Sequence, residues 1–360
     1  MTRASGIGSL PGDDAEAYPE AVRIVLGELA PPDGIPHLPE LPGRGAAASM
    51  TGRALAVTAP LGADLPPAGW RLTDASGVDH RRARSLLAQD LDALEEQAQG
   101  LTGSFKIQVA GPWTLAATVE KPRGDKVVSD HGARRDLAQA LAEGVRGHVA
   151  DVRRRVLGAD RLVVQVDEPA LTAVLEARVP TASGFGRHRA VHPPEASEAL
   201  GWVLDAVTGA GGEPWVHSCA GGTPLALLRG AGARGLLVDL GVLVAADLDQ
   251  LAEAWEAGET VALGVVSAVD PAEPQTAVQV TERVQRVLDL LGIDLGEASP
   301  RLVLTPACGL AGASPGWVRD ALRTSRGGGG QPSRGRNTPL GGGVAHPPER
   351  TTPGESGGGA

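Results

Sequence analysis

The stretch "RLVVQVDEP", residues 161–169, decides the fold. Its core, Leu162 to Val166, is apolar at almost every position, so both faces of the extended chain must be covered. A strand with one wet face alternates apolar and polar residues. A strand apolar on both faces belongs to a parallel sheet enclosed by other layers. The run then stops in Asp167, Glu168 and Pro169, which places two carboxylates at the strand's C-terminal end.

Similar runs recur on either side: "GIGSLPG", "IPHLPEL", "FKIQVAGP", "PWVHSCAG", "GLLVDLG", "TVALGVVSA" and "RLVLTPACG". Between them lie Ala/Leu/Arg/Glu segments of helical period, such as "HRRARSLLAQDLDALEEQAQ" and "RRDLAQALAEGVRGHVADVRRRVLG". Strands alternating with helices indicate parallel βα units. The strand candidates end in Ser9, Glu40, Asp167, His217, Cys219, Asp239 and Cys308. In a closed barrel these ends share one mouth, where active sites are built. The expectation is a single-domain (β/α)8 TIM barrel over residues 1–326. Residues 327–360 lose all apolar periodicity in favour of Gly and Pro, which predicts a disordered tail.

The net charge of −10 argues against a nucleic-acid surface, which needs clustered Lys and Arg. No apolar run is long enough to span a bilayer, and the N-terminus lacks a signal-peptide pattern. Two cysteines in 360 residues make no disulfide framework. The expectation is a soluble cytoplasmic protein, without nucleic-acid or membrane partners, whose thiols stay reduced and free to bind metal.

His217 and Cys219 stand two apart in "VHSCAGG", so on a strand they project to the same face. Imidazole nitrogen and thiolate sulfur are a preferred pair for zinc. Cys308, at the end of the last strand, can lean toward the same centre, and Asp239 on the neighbouring strand is the candidate fourth ligand. The competing reading is that the cysteines are small core residues. Asp167 suits a substrate ammonium, while acids beside Pro169 also suit a helix N-terminus.

"GIGSLPG", "VAGPWTL", "QVDEPAL", "VHSCAG" and "LTPACGL", in this order, resemble the catalytic C-terminal barrel of the cobalamin-independent methionine synthase family, within the superfamily that includes uroporphyrinogen decarboxylase. The resemblance spans roughly residues 5–325 and is to a short, single-barrel form. It implies a zinc-dependent methyltransferase acting on the thiol of homocysteine to give methionine. Zinc would be held by His217, Cys219 and Cys308, with Asp239 in place of a family Glu. Homocysteine would be held by Ser9 and Asp167, with Glu40 as a further contact for its ammonium. Asp167 and Cys219 are the residues assigned to catalysis.

Two departures bear on the methyl donor. Trp113 in "GPWTLAATVE" is displaced from the position where the full-length enzymes stack a folate. "GVVSAVDP" lacks the histidine those enzymes carry before the last strand. A methyltetrahydrofolate or a methylated corrinoid, the latter free or on a carrier protein, are the two donors considered.

Two other readings stand beside this one. A decarboxylase-like enzyme of the same superfamily would clamp substrate carboxylates with arginines, for which Arg3, Arg44 and Arg53 are candidates. A non-catalytic barrel would bind zinc or a thiol metabolite without turnover. His80, His131 and His148 are expected at the surface, and His188 and His192 on a loop that reaches the mouth.

Overall fold

The computed structural model describes residues 2–58 and 61–327. Val163, Val164 and Val166 are fully buried, as the two-faced apolar run requires. They belong to one of eight parallel strands: β1 (Arg3–Ser5), β2 (Gly34–Ile35), β3 (Gly103–Ala110), β4 (Ala159–Asp167), β5 (Glu213–Ser218), β6 (Gly235–Asp239), β7 (Thr260–Val266) and β8 (Leu302–Pro306). Their order is β2-β1-β8-β7-β6-β5-β4-β3. The sheet closes through a parallel bridge between His37, just past β2, and Lys106 of β3. There Leu38 N donates to Lys106 O and Lys106 N to Pro36 O, each at 2.9 Å. The architecture is the expected (β/α)8 barrel.

One residue from each of six strands, with Ile7 from the loop after β1, fills the barrel's interior. Ile7, Ile35, Val163, Trp215, Leu237, Ala262 and Val303 form a separate apolar cluster, as the stacked inner layers of such barrels do. Trp215 presses so closely on the next strand that a side chain at Gly235 would lie 2.4 Å from its ring. On β3 the matching position, opposite Val163, is the charged Lys106.

The helices follow the period read from the sequence. Val78–Gln97 buries Ala83, Leu87, Leu91 and Leu94 at spacings of three and four. His131–Arg155 starts at Asp130, whose side chain accepts from Ala133 N, and ends in three arginines that suit a helix C-terminus. The last helix, Pro315–Gly327, packs on β1 and β8. Arg319 and Arg323 reach Glu20 and Glu28 of the first helix, Ala17–Glu28, at 2.5 and 3.0 Å.

The structure corrects three expectations. The first strand is Arg3–Ser5, and "GIGSLPG" is the loop that follows it. A short antiparallel pair, Gly62–Asp64 with Arg71–Thr73, was not expected. It matters because it covers His80, which is buried: His80 Nδ1 accepts from Ala63 N at 3.2 Å and Nε2 lies 2.8 Å from Leu55 O. His148 is also buried, and desolvation pushes its pKa down to about 4. His131 is exposed, as expected. The tail expected from 327 onward lies, beyond Gly327, outside the described residues. Among the described residues no helix is long and apolar enough to cross a membrane.

Candidate metal centre and substrate cavity

His217 sits near the end of β5, paired in register with Asp167 of β4 and Leu237 of β6. Cys219 is the first residue past the strand, on the same face. Its turn is built locally: Thr223 Oγ1 donates to Ala220 O at 2.7 Å and lies 2.8 Å from the Ser218 hydroxyl. Gly222 takes the left-handed conformation (φ 69°) that other residues adopt at a cost. Cys308 follows β8, and its neighbour Gly309 leaves room for Ser9, whose hydroxyl would lie 2.0 Å from any Cβ placed there.

The ligand atoms of His217, Cys219 and Cys308 all lie within 4.8 Å of one another, and the two sulfurs are 2.9 Å apart. One tetrahedral ion holds such atoms roughly 3.3–3.8 Å apart, so the cluster fits one zinc with small adjustment. The decisive atom is His217 Nε2, which is buried and has no hydrogen-bond partner. The other ring nitrogen, Nδ1, lies 2.8 Å from Asp167 Oδ1 and donates to it. A carboxylate on one imidazole nitrogen and a free lone pair on the other is the arrangement metal-ligating histidines use. The thiols titrate as a pair. Contact with Cys219, aided by His217, brings Cys308 down to about 6, while the same contact and burial push Cys219 up. One proton leaves readily and the other is retained.

Asp239 is not brought into this cluster. It shares the parity of Leu237, which faces inward, but its Oδ1 accepts from Gly241 N at 2.7 Å. The carboxylate closes the turn after its own strand.

Beside the cluster lies a cavity of about 250 Å³ whose walls include Ser9, Glu40, Gln108, Asp167 and the three cluster residues. Ile7, Pro42, Met50 and Pro169 supply apolar wall. Ser9 and Glu40 are joined by a strand-like bridge between their segments. Glu40 is buried, which pushes its pKa up, and Arg53 opposes that shift from 3.4 Å. Arg53 is fixed in turn by Asp90, which also takes both ends of the Arg44 guanidinium at 2.8 Å. Arg44 and Arg53 are therefore committed to Asp90, and Arg3 donates to Pro300 O. None of these three arginines lines the cavity.

The acids of "VDEP" divide by face. Asp167 Oδ1 accepts from Gln165 Nε2 at 2.7 Å as well as from His217. Glu168 points the other way and caps the helix Pro112–Thr118, accepting from Trp113 N, Thr114 N and Thr114 Oγ1 at 2.7–2.9 Å. Gly111 is required there, since a Cβ would meet the Glu168 carboxyl at about 2.4 Å. Trp113 is a core residue, 1% exposed, with its indole N–H on Ala196 O. His188 pairs with Asp125 at 3.0 Å, and neither it nor His192 lines the cavity.

Sequence reasoning missed Gln108, Lys106 and Gln165. Gln108 Nε2 donates to Leu38 O at 2.6 Å, leaving Oε1 as a buried acceptor without a partner in the cavity wall. The available signal was a polar side chain inside an otherwise apolar buried strand, which must have a partner or a ligand.

The sequence model of the "Cobalamin-independent synthase, Catalytic domain" family matches residues 105–328. No curated protein sequence matches the chain. Among solved structures, a B12-independent methionine synthase from Shewanella sp. W3-18-1, in complex with selenomethionine, is similar with a TM-score of 0.58 at 16% identity, covering 91% of this chain and 97% of that one. A 3-keto-D-glucoside 4-epimerase from E. coli aligns at a TM-score of 0.36 and 12% identity, over 67% of this chain and 86% of that one. With a family match over more than half its length and a barrel of that fold, the chain belongs to the cobalamin-independent methionine synthase family and is a homocysteine methyltransferase.

Proposed function

We propose that the protein transfers a methyl group to the sulfur of homocysteine at a zinc ion held by His217, Cys219 and Cys308. The observation that carries this is His217 Nε2, buried, unpartnered and grouped with two thiols at the edge of the cavity. Zinc bound there would favour the thiolate form of a coordinated thiol near neutral pH, where a free thiol of pKa about 8.5 is mostly protonated.

The chain's own residues do the rest. Asp167 holds His217 in the tautomer that leaves Nε2 free. The two cysteines give the site negative charge, which keeps a bound sulfur nucleophilic. Glu40, Asp167 and the Gln108 Oε1 acceptor suit the substrate's ammonium, and the Ser9 hydroxyl suits its carboxylate. Holding both ends of the amino acid fixes where its sulfur points, which removes orientational entropy from the reaction. The apolar wall keeps water from the reacting atoms. The selenomethionine bound to the Shewanella protein is a methionine analogue and so supports a methionine-shaped product site.

The family's description as cobalamin-independent favours a methyltetrahydrofolate as donor over a methylated corrinoid. The test is methionine formation from homocysteine by the zinc-loaded protein, with each donor supplied separately. Turnover with the folate is expected. Turnover with the corrinoid alone would reassign the donor, and no methionine with either would overturn the proposal.

A further inference from the structure

Lys106 is fully buried, yet it does not line the cavity and touches no member of the cysteine–histidine cluster. It occupies the inner-layer position that most other strands fill with an apolar side chain. Burying an amine there is costly unless its N–H groups find acceptors. They do: Nζ donates to Ile7 O at 2.8 Å and to Gln165 Oε1 at 2.7 Å. Burial lowers its pKa to about 7, but a neutral amine still carries two N–H groups, enough for both acceptors.

Gln165 is also fully buried, and its Nε2 donates to Ile7 O at 2.9 Å and to Asp167 Oδ1 at 2.7 Å. A primary amide is ambivalent, since its oxygen and nitrogen ends can exchange places. Flipped, Gln165 would turn an oxygen on the Asp167 carboxylate, acceptor against acceptor. As an ammonium, Lys106 has only donors to offer and so permits one orientation, with Oε1 toward itself and Nε2 toward Asp167. The Ile7 carbonyl, taken by both side chains, locks the pair.

We propose that Lys106 and Gln165 form a positioning relay that orients Asp167, and through it holds His217 in the tautomer that presents Nε2 to the metal. The relay rests on the reading that His217, Cys219 and Cys308 bind zinc. It makes Lys106 and Gln165 positioning residues for a centre that neither touches.

The test measures zinc affinity by competition with a chelating dye, on the wild type, Lys106→Met, Gln165→Leu and the double variant. Urea unfolding of each metal-free protein gives its stability separately. The His217 tautomer in the metal-free proteins is read by nitrogen-15 NMR, which needs no metal. Loss of an outer partner of a ligating histidine weakens metal binding about 10–100-fold. Each single variant is expected to fall in that range, the double variant no further than the worse single, and the NMR to show a mixed tautomer. Losses that multiply in the double variant would overturn the relay, because the two residues would then act independently. So would a wild-type affinity and tautomer in well-folded Lys106→Met. If one variant fails to fold, the remaining variants and their tautomers decide. A wild type that binds no zinc removes the metal reading instead; an unchanged tautomer in the variants would then refute the orienting role as well, and a mixed one would retain it without a metal.

Discussion

Trp215 and His217 are two residues apart on one strand, face the same interior and obey different rules. Trp215 belongs to an apolar layer whose members come from most strands of the barrel. His217 belongs to a polar layer at the mouth, where its Nδ1 has an assigned partner in Asp167 while its Nε2, like Gln108 Oε1, stands buried without one. The lower layer gains from area removed from water, and its members are exchangeable for others of similar shape. The upper layer gains from hydrogen bonds that only particular atoms can make. Lys106 and Gln165 cross the boundary, extending the polar rule into the depth of β3 and β4.

Substitutions separate the two rules. Trp215→Ala should cost about 3–5 kcal/mol of stability, the range for emptying a large core site. Its zinc content per folded molecule should stay that of the wild type. A urea titration with metal analysis of the folded fraction checks both. Glu168→Ala leaves the buried N–H groups of Trp113 and Thr114 without an acceptor, an effect of about 2–3 kcal/mol. It too should spare zinc affinity, which distinguishes it from its neighbour. Asp167→Ala should weaken zinc about 10–100-fold with a smaller change in urea midpoint.

Lys106 gives the comparison a pH axis. It faces Asp167 and Glu40, which favour its charged form, and His37, whose pKa is down to about 3 through burial and the nearby lysine. Unfolded, a lysine titrates near 10.4; folded, this one titrates at about 7. Between those values the unfolded chain holds a proton that the folded chain has released. The metal-free protein should therefore gain stability as pH rises from about 7 toward 10, by at most about 1.4 kcal/mol per unit. That gain is lost as pH falls through 7. In Lys106→Met the slope should be shallower, as urea midpoints at pH 7 and 9 would show. Asp239→Ala has the smallest expected effect, under about 1 kcal/mol in stability with zinc affinity unchanged. A drop of tenfold or more on the dye assay would make Asp239 a ligand after all.

The barrel was legible because its signal is local and repeated. Runs such as "LVVQV", short, rich in β-branched residues and stopped by "DEP", read as enclosed strands, and the helices between them carry their period openly. "GIGSLPG" misled because glycine and apolar residues also suit a tight loop; here Gly6 packs under His37, and Ser9 reaches the segment of Glu40. The pairing of His217 with Cys219 follows from strand alternation, but their meeting with Cys308 depends on barrel closure, which no short motif encodes. His80 was misplaced because its partners, Ala63 N and Leu55 O, come from segments whose arrangement was not foreseen. Asp239 has the right parity for a ligand, and only the structure shows its carboxylate turned to Gly241 N. Lys106, Gln108 and Gln165 announced themselves as polar residues in buried strands, though not which partners they would find.

Two cysteines 89 residues apart and one histidine are proposed to hold a single zinc ion. Metal content of the purified, reduced protein tests this most directly, with Cys219→Ser and Cys308→Ser measured beside the wild type. About one zinc per chain, lost in both variants while the fold persists, is the expected result. No zinc in the wild type after reconstitution, or zinc retained by either variant, would contradict it.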